Sequence, residues 1–134
     1  MRLKTLTAAD IETLRPSLTA LLADTVANGA SIGFYPPVGG ADADRYWREV
    51  EQGIRDGKRV VIAAFDQRGV LLGSGQIALE SRDNGLHRAE VQKVMVALLA
   101  RRQGVGRALM MALEQSAREA GRTLLVLDTR EGDP

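Results

Sequence analysis

The chain has no cysteine, so disulfides, thiolate metal sites and an acyl-cysteine intermediate are excluded. It has a single histidine, His87, so a multi-histidine metal site cannot be built and any imidazole chemistry would depend on that one residue. Aromatic residues are scarce at 4%, with Trp47 the only tryptophan. No sign of charge dominates: 18 Lys and Arg against 17 Asp and Glu leave +1, too little for a global field that would draw nucleic acid or an acidic membrane. No apolar run approaches the roughly 18 residues of a membrane-spanning helix, and the start MRLKTLTAAD lacks the apolar stretch of a secretion signal. These absences point to an ordinary soluble protein of the cytoplasm. What is present is 134 residues, 45% hydrophobic and 26% charged. That is one domain with enough material for a core.

The periodicities give an element order. Arg2 to Leu6 reads as a short strand, and Thr7 with Asp10 forms a capping box for a helix. Ile11, Leu14, Leu18, Leu21, Leu22 and Val26 line one face of that helix, Pro16 interrupts it and Gly29 ends it. Ser31 to Gly40 is a Gly- and Pro-rich loop that carries Phe34 and Tyr35. Asp42 is placed to cap a second helix, with Trp47, Val50 and Ile54 inward and Gly57 as the stop. Three strands follow, Arg59 to Phe65, Val70 to Leu79 and Leu86 to Val96, joined by turns at Asp66–Gly69 and Asp83–Gly85. Gly73 and Gly75 interrupt the middle one. A helix from about Val105 to Ala120 has Val105, Leu109, Ala112, Leu113, Ser116 and Ala120 on one side, and Gly121 terminates it. Thr123 to Asp128 has the apolar character of a buried parallel strand. The order β-α-α-β-β-β-α-β predicts a mixed-sheet α/β (α+β) domain.

The chemistry concentrates in Arg101-Arg102-Gln103-Gly104-Val105-Gly106-Arg107, between a strand and a helix. Two glycines allow close backbone approach, the first-turn N–H groups are unsatisfied, and three arginines flank the spot. This suits a phosphate or diphosphate. The P-loop pattern fails, because Arg107-Ala108 stands where Lys-Ser/Thr is required. The nicotinamide or flavin fingerprint also fails, because Leu109 stands where a third small residue is needed. Elsewhere, Glu90 and Gln92 share one face of their strand, and a carboxylate there is a candidate general base. The other reading of Glu90 is an ion pair with Arg88 or Lys93. Asp128, at a strand end, is either a second acid–base group or a turn cap. His87 reads as a partly exposed structural residue.

Arg101-x-x-Gly104-x-Gly106, preceded by Val94-Met95-Val96, resembles the signature of the GNAT acetyltransferase superfamily. The order of elements from Arg2 to Asp128 is similar to that family's. The stretches 28–34, 84–93 and 127–129 further resemble its toxin-resistance members. The resemblance implies acetyl-CoA as cosubstrate, without a metal, and transfer of its acetyl group to a small-molecule amine. It implies that Met95 and Val96 pair through their backbone with the pantetheine arm. Arg101, Arg102, Gly104, Val105, Gly106 and Arg107 would then cradle the pyrophosphate. It implies Glu90 and Asp128 as the catalytic pair, and Phe34, Tyr35 and Gln92 beside the acceptor. Members of the family continue with a further helix and strands, including a tyrosine that protonates the leaving thiolate. Here the only tyrosines are Tyr35 and Tyr46. The expectation is therefore a chain lacking that C-terminal part, with an open sheet edge through which a second copy could pair. The competing reading is an acyl-CoA-binding fragment without catalysis.

Overall fold

The computed structural model describes residues 1–27, 39–79, 88–122 and 124–127. Five strands and three helices follow the expected order. They are β1 (Arg2–Thr5), α1 (Ala8–Ala27), α2 (Gly40–Arg55), β2 (Arg59–Phe65), β3 (Leu71–Leu79), β4 (Arg88–Val96), α3 (Val105–Glu119) and β5 (Leu124–Leu127). The strands lie side by side in sequence order, antiparallel except for the final β4–β5 pair, which is parallel. The result is an α/β mixed sheet with α1 and α2 on one face and α3 on the other. No helix among the described residues is long and apolar enough to cross a membrane.

The capping box forms as the sequence predicts. The Asp10 N–H donates to Thr7 Oγ1 at 3.1 Å, and the Thr7 N–H donates back to Asp10 Oδ2 at 2.9 Å. The bond from Thr7 holds the Asp10 carboxyl below its ordinary pKa, against the opposing effect of desolvation. Pro16 does not break α1. It sits on the exposed side, so the carbonyl of Glu12 that loses its donor faces water. The start of α2 departs from expectation. Gly39 is the N-cap with no side-chain bond, and Asp42 lies inside the first turn, where its charge meets the helix dipole. Arg15 bridges α1 to α2 through Asp44 at 2.9 Å and Glu51 at 3.3 Å.

The two sheet faces differ in content. Val61, Ala63, Phe65 and Met95 pack with α1 and α2 around Trp47. Ile62, Ala64, Ile77, Ala89 and Val91 pack with α3 through Val105, Leu109, Leu113 and Ala117. The inward stripe of α3 thus ends on Ala117, and Ala120 is exposed, because the 3.6-residue period runs Val105, Leu109, Leu113, Ala117. Gly73 and Gly75 do not interrupt β3. A Cβ on Gly73 would lie 2.6 Å from the Met95 carbonyl oxygen, and one on Gly75 would lie 2.9 Å from Leu113 Cδ1. The glycines therefore let neighbouring strand and helix close onto β3.

Candidate functional site

β4 carries the feature on which the site is built. Ser74 pairs with Met95 and Gln76 with Gln92, so two steps on β3 face three on β4. The extra residue makes a bulge at Lys93, whose φ is +51°, a conformation uncommon for a side chain of that size. The bulge inverts the alternation. Glu90, Gln92 and Met95 face α1 and α2, whereas Ala89, Val91, Val94 and Val96 face α3. β5 pairs only with Arg88 to Val91. From Gln92 onward the β5-facing side of β4 has no strand partner among the described residues. Met95's side chain is fully buried and Val96's is half-buried.

The Gly-rich turn follows β4 in the chain. After β4 comes one turn of 3-10 helix, Leu98–Ala100, tied to α1 by the Leu98 N–H donating to Asp24 Oδ2 at 2.9 Å. A cavity of about 630 Å³ lies between these elements, bordered by Leu21, Asp24, Leu72, Leu98 and Gln103. Arg102 has φ +65°, and Gly104, the N-cap of α3, has φ +81°. That backbone suits glycine, and Gly104 supplies no side-chain cap to α3. The first intrahelical bond runs from the Ala108 N–H to the Gly104 carbonyl at 3.0 Å. The N–H groups of Val105, Gly106 and Arg107 therefore point outward at the positive end of α3. Val105 contributes only its backbone, since its side chain is buried against the sheet. A Cβ on Gly106 would make only ordinary contact with Val96 at 3.7 Å, so the fold does not itself require glycine there. Arg101, Arg102 and Arg107 are exposed and make no ion pair among the described residues. The turn 101–107 thus carries helix-start amides with no intrahelical partner and three exposed arginines with no ion pair among the described residues.

Glu90 and Gln92 do share a face, as the alternation predicts. Gln92 Nε2 donates to Glu90 Oε1 at 3.0 Å. Arg59 Nη1 donates to Gln92 Oε1 at 3.4 Å and to Gln76 Oε1 at 2.7 Å, and Gln76 Nε2 donates to Tyr46 Oη at 2.8 Å. Glu90 forms no ion pair with Arg88 or Lys93 among the described residues. Lys93 instead has its ammonium 5.9 Å from the centre of the Tyr46 ring. The carboxylate of Glu90 is thus held by a neutral amide and has no ion-pair partner among the described residues. Phe34, Tyr35, His87 and Asp128 lie outside the described residues.

The bulge and the Arg59–Gln76–Tyr46 network are the features that sequence reading missed. Both left a trace. Gln92-Lys93 places two polar residues in succession within an alternating strand, and Gln76, with Ser74, is polar in a strand whose remaining residues are apolar or glycine.

The profile of the acetyltransferase (GNAT) family matches residues 33–134. An uncharacterized N-acetyltransferase encoded in the hisH-hisA intergenic region of Azospirillum brasilense is 33% identical over 110 residues, 81% of this chain. The chain spans 63% of the length of that curated relative. Among solved structures, a ribosomal-protein-alanine N-acetyltransferase from Brucella melitensis is 26% identical with a TM-score of 0.69, covering 95% of this chain and 73% of that one. The structure of yncA from Salmonella typhimurium with acetyl-CoA has a TM-score of 0.73 at 21% identity, over 95% and 68% of the two chains, and shares the fold.

Proposed function

The chain belongs to the acetyltransferase (GNAT) family, and from that premise we propose that it transfers the acetyl group of acetyl-CoA to a primary amine of a small molecule. The observation that carries this reading is the turn Arg101–Arg107, which has the helix-start amides of α3 and three exposed arginines with no ion pair among the described residues. A diphosphate fits such a donor set, because its oxygens accept from both amides and guanidiniums. The pantetheine arm would lie along the end of β4 and use the backbone of Met95 and Val96 as a strand uses its neighbour. That places the thioester near the bulge at Lys93. The 134 residues act as a single domain of this type.

The transfer is direct, since a chain without cysteine has no thiol to carry the acetyl group. Glu90, with Asp128 as its partner in this reading, takes the proton of the acceptor ammonium. The freed nitrogen attacks the thioester carbonyl, the N–C bond forms, the C–S bond breaks, CoA departs as its thiolate, and the second proton of the nitrogen is lost to that thiolate or to water. The protein's main contribution is to hold amine and thioester in line. Phe34, Tyr35 and Gln92 border the acceptor. The acceptor itself is amino-acid-like, as a toxin or antibiotic of that class would be, and the enzyme is cytoplasmic. β5, an edge strand among the described residues, is where a second copy would pair.

Free-thiol release from acetyl-CoA in the presence of a panel of primary amines tests the reading. Amine-dependent release with acetylated product by mass spectrometry is the expected result. Acetyl-CoA binding without release for any amine would leave an acyl-CoA-binding protein, and no binding at all would remove the cosubstrate.

A further inference from the structure

A second cavity, of about 340 Å³, opens beside Glu90 on the α2 side of the sheet. Its floor is one cross-strand row: Arg59 pairs with Ala78, Ala78 with Glu90, and Glu90 with Val126. Neighbouring strands are about 4.8 Å apart, so the backbones of Arg59 and Glu90 are about 10 Å apart. The small Ala78 side chain leaves the space between them empty. Gly53, Lys58 and Arg88 also border the cavity. Among the described residues its ionic lining is three cations, Lys58, Arg59 and Arg88, and the carboxylate of Glu90.

Arg59 is built into this wall. A Cβ on Gly53 of α2 would lie 3.1 Å from Arg59 Cβ and 3.2 Å from its Nε, so the helix has a glycine where the arginine stem passes. Its Nη1 is fixed by the oxygens of Gln76 and Gln92. Those partners are neutral amides, and no carboxylate pairs with Arg59 among the described residues. A half-buried guanidinium held in place by neutral groups has no countercharge in ion-pair contact among the described residues, and its Nε and Nη2, which make no hydrogen bond among them, can take an anion. Glu90, at the other end of the row, likewise has no ion-pair partner among the described residues.

We propose that Arg59 is an acceptor-binding residue, and that the amine acetylated here carries an anionic group, carboxylate or phosphate, that pairs with Arg59 while its ammonium lies at Glu90. The proposal rests on the acetyltransferase reading above. The cavity disfavours polyamines and other purely cationic acceptors, because three cations line it and one carboxylate cannot offset them. A zwitterion satisfies both ends of the row at once. Arg59 also donates to Gln92, which donates to Glu90, so a bound anion would be sensed along the same row that orients the base.

The test uses matched acceptors in the thiol-release assay: α-amino acids against their methyl esters, and 2-aminoethyl phosphate against ethanolamine. The anionic member of at least one pair is expected to have a kcat/KM about tenfold or more above its partner, which corresponds to about 1.4 kcal/mol. The pair with the larger ratio identifies carboxylate or phosphate. Arg59→Gln is expected to abolish the ratio, chiefly through KM, with acetyl-CoA affinity by calorimetry unchanged. Arg59→Lys, which keeps the charge but not the fork, is expected to retain part of the ratio. Preference for the neutral members, a ratio that survives Arg59→Gln, or acetyl-CoA binding with turnover of no pair would overturn the proposal. Failure to bind acetyl-CoA would instead remove the acetyltransferase reading beneath it.

Discussion

The two faces of the one sheet are made by the same strands and have opposite characters. Towards α3 the strands present Ile62, Ala64, Ile77, Ala89 and Val91, and two glycines let Leu109 and Leu113 approach the backbone. Towards α1 and α2 they present Arg59, Ser74, Gln76, Glu90 and Gln92 among the apolar residues. This second face also carries costs. The Ser74 hydroxyl and the Trp47 indole N–H are buried without a hydrogen-bond partner among the described residues. Alternation in a strand permits this division, because adjacent residues answer to different neighbours. The α3 face is arranged for packing, whereas the other gives up some packing for a polar row ending at a cavity.

If the division is right, substitutions on the two faces should fail in different ways. The largest effect expected is on chemistry. Glu90→Gln keeps the shape and its bond to Gln92 while removing basicity, and should reduce turnover by about 10²–10⁴-fold with little change in unfolding midpoint. A large loss of stability in this variant would show that Glu90 is a structural group. Leu113→Ala, on the opposite face and fully buried, should cost about 2–5 kcal/mol in denaturant unfolding. At temperatures where it stays folded, it should bind acetyl-CoA normally. Loss of activity beyond its loss of folded protein would blur the comparison.

The smallest effect lies away from both faces. The folded-state pKa of Asp10 is lowered, so its contribution to stability is present above the ordinary carboxylate pKa, about 4, and is lost as pH falls through the lower folded value. Thermal unfolding from pH 5 down to pH 2 should therefore show a slightly shallower fall for Asp10→Asn than for the wild type. Equal slopes would mean that the capping box is electrostatically silent.

Much of the architecture was legible because local signals agree with tertiary ones. RVVIAAF gives β2, Arg59–Phe65, residue for residue. The reciprocal bonds of Thr7 and Asp10 follow from spacing alone. The Gly104 cap and the start of α3 are where the Gly-rich turn places them. The site was legible only where it depends on backbone. Side-chain partners across strands depend on register, and register here includes a bulge that shows in the sequence only as the polar pair Gln92-Lys93. Arg59 reads in sequence as the first residue of a strand. Only the pairing of Arg59 with Ala78, and of Ala78 with Glu90, makes it face a carboxylate two strands away. Gly73 and Gly75 have the same kind of cause: the Met95 carbonyl of β4 and Leu113 of α3, both distant in the chain, approach them too closely for a Cβ.

The central claim is that the turn Arg101–Arg107 holds the diphosphate of acetyl-CoA, and a calorimetric titration of acetyl-CoA into the wild type and Gly104→Val tests it most directly. Valine is strained at the φ of +81° that Gly104 adopts, so the turn must reorganise and its amides lose their aim. The variant should remain folded, because no other group lies within 4 Å of a Cβ placed there. The account predicts an affinity weaker by about tenfold or more, about 1.4 kcal/mol or more. A folded Gly104→Val protein that binds acetyl-CoA as tightly as the wild type would contradict it.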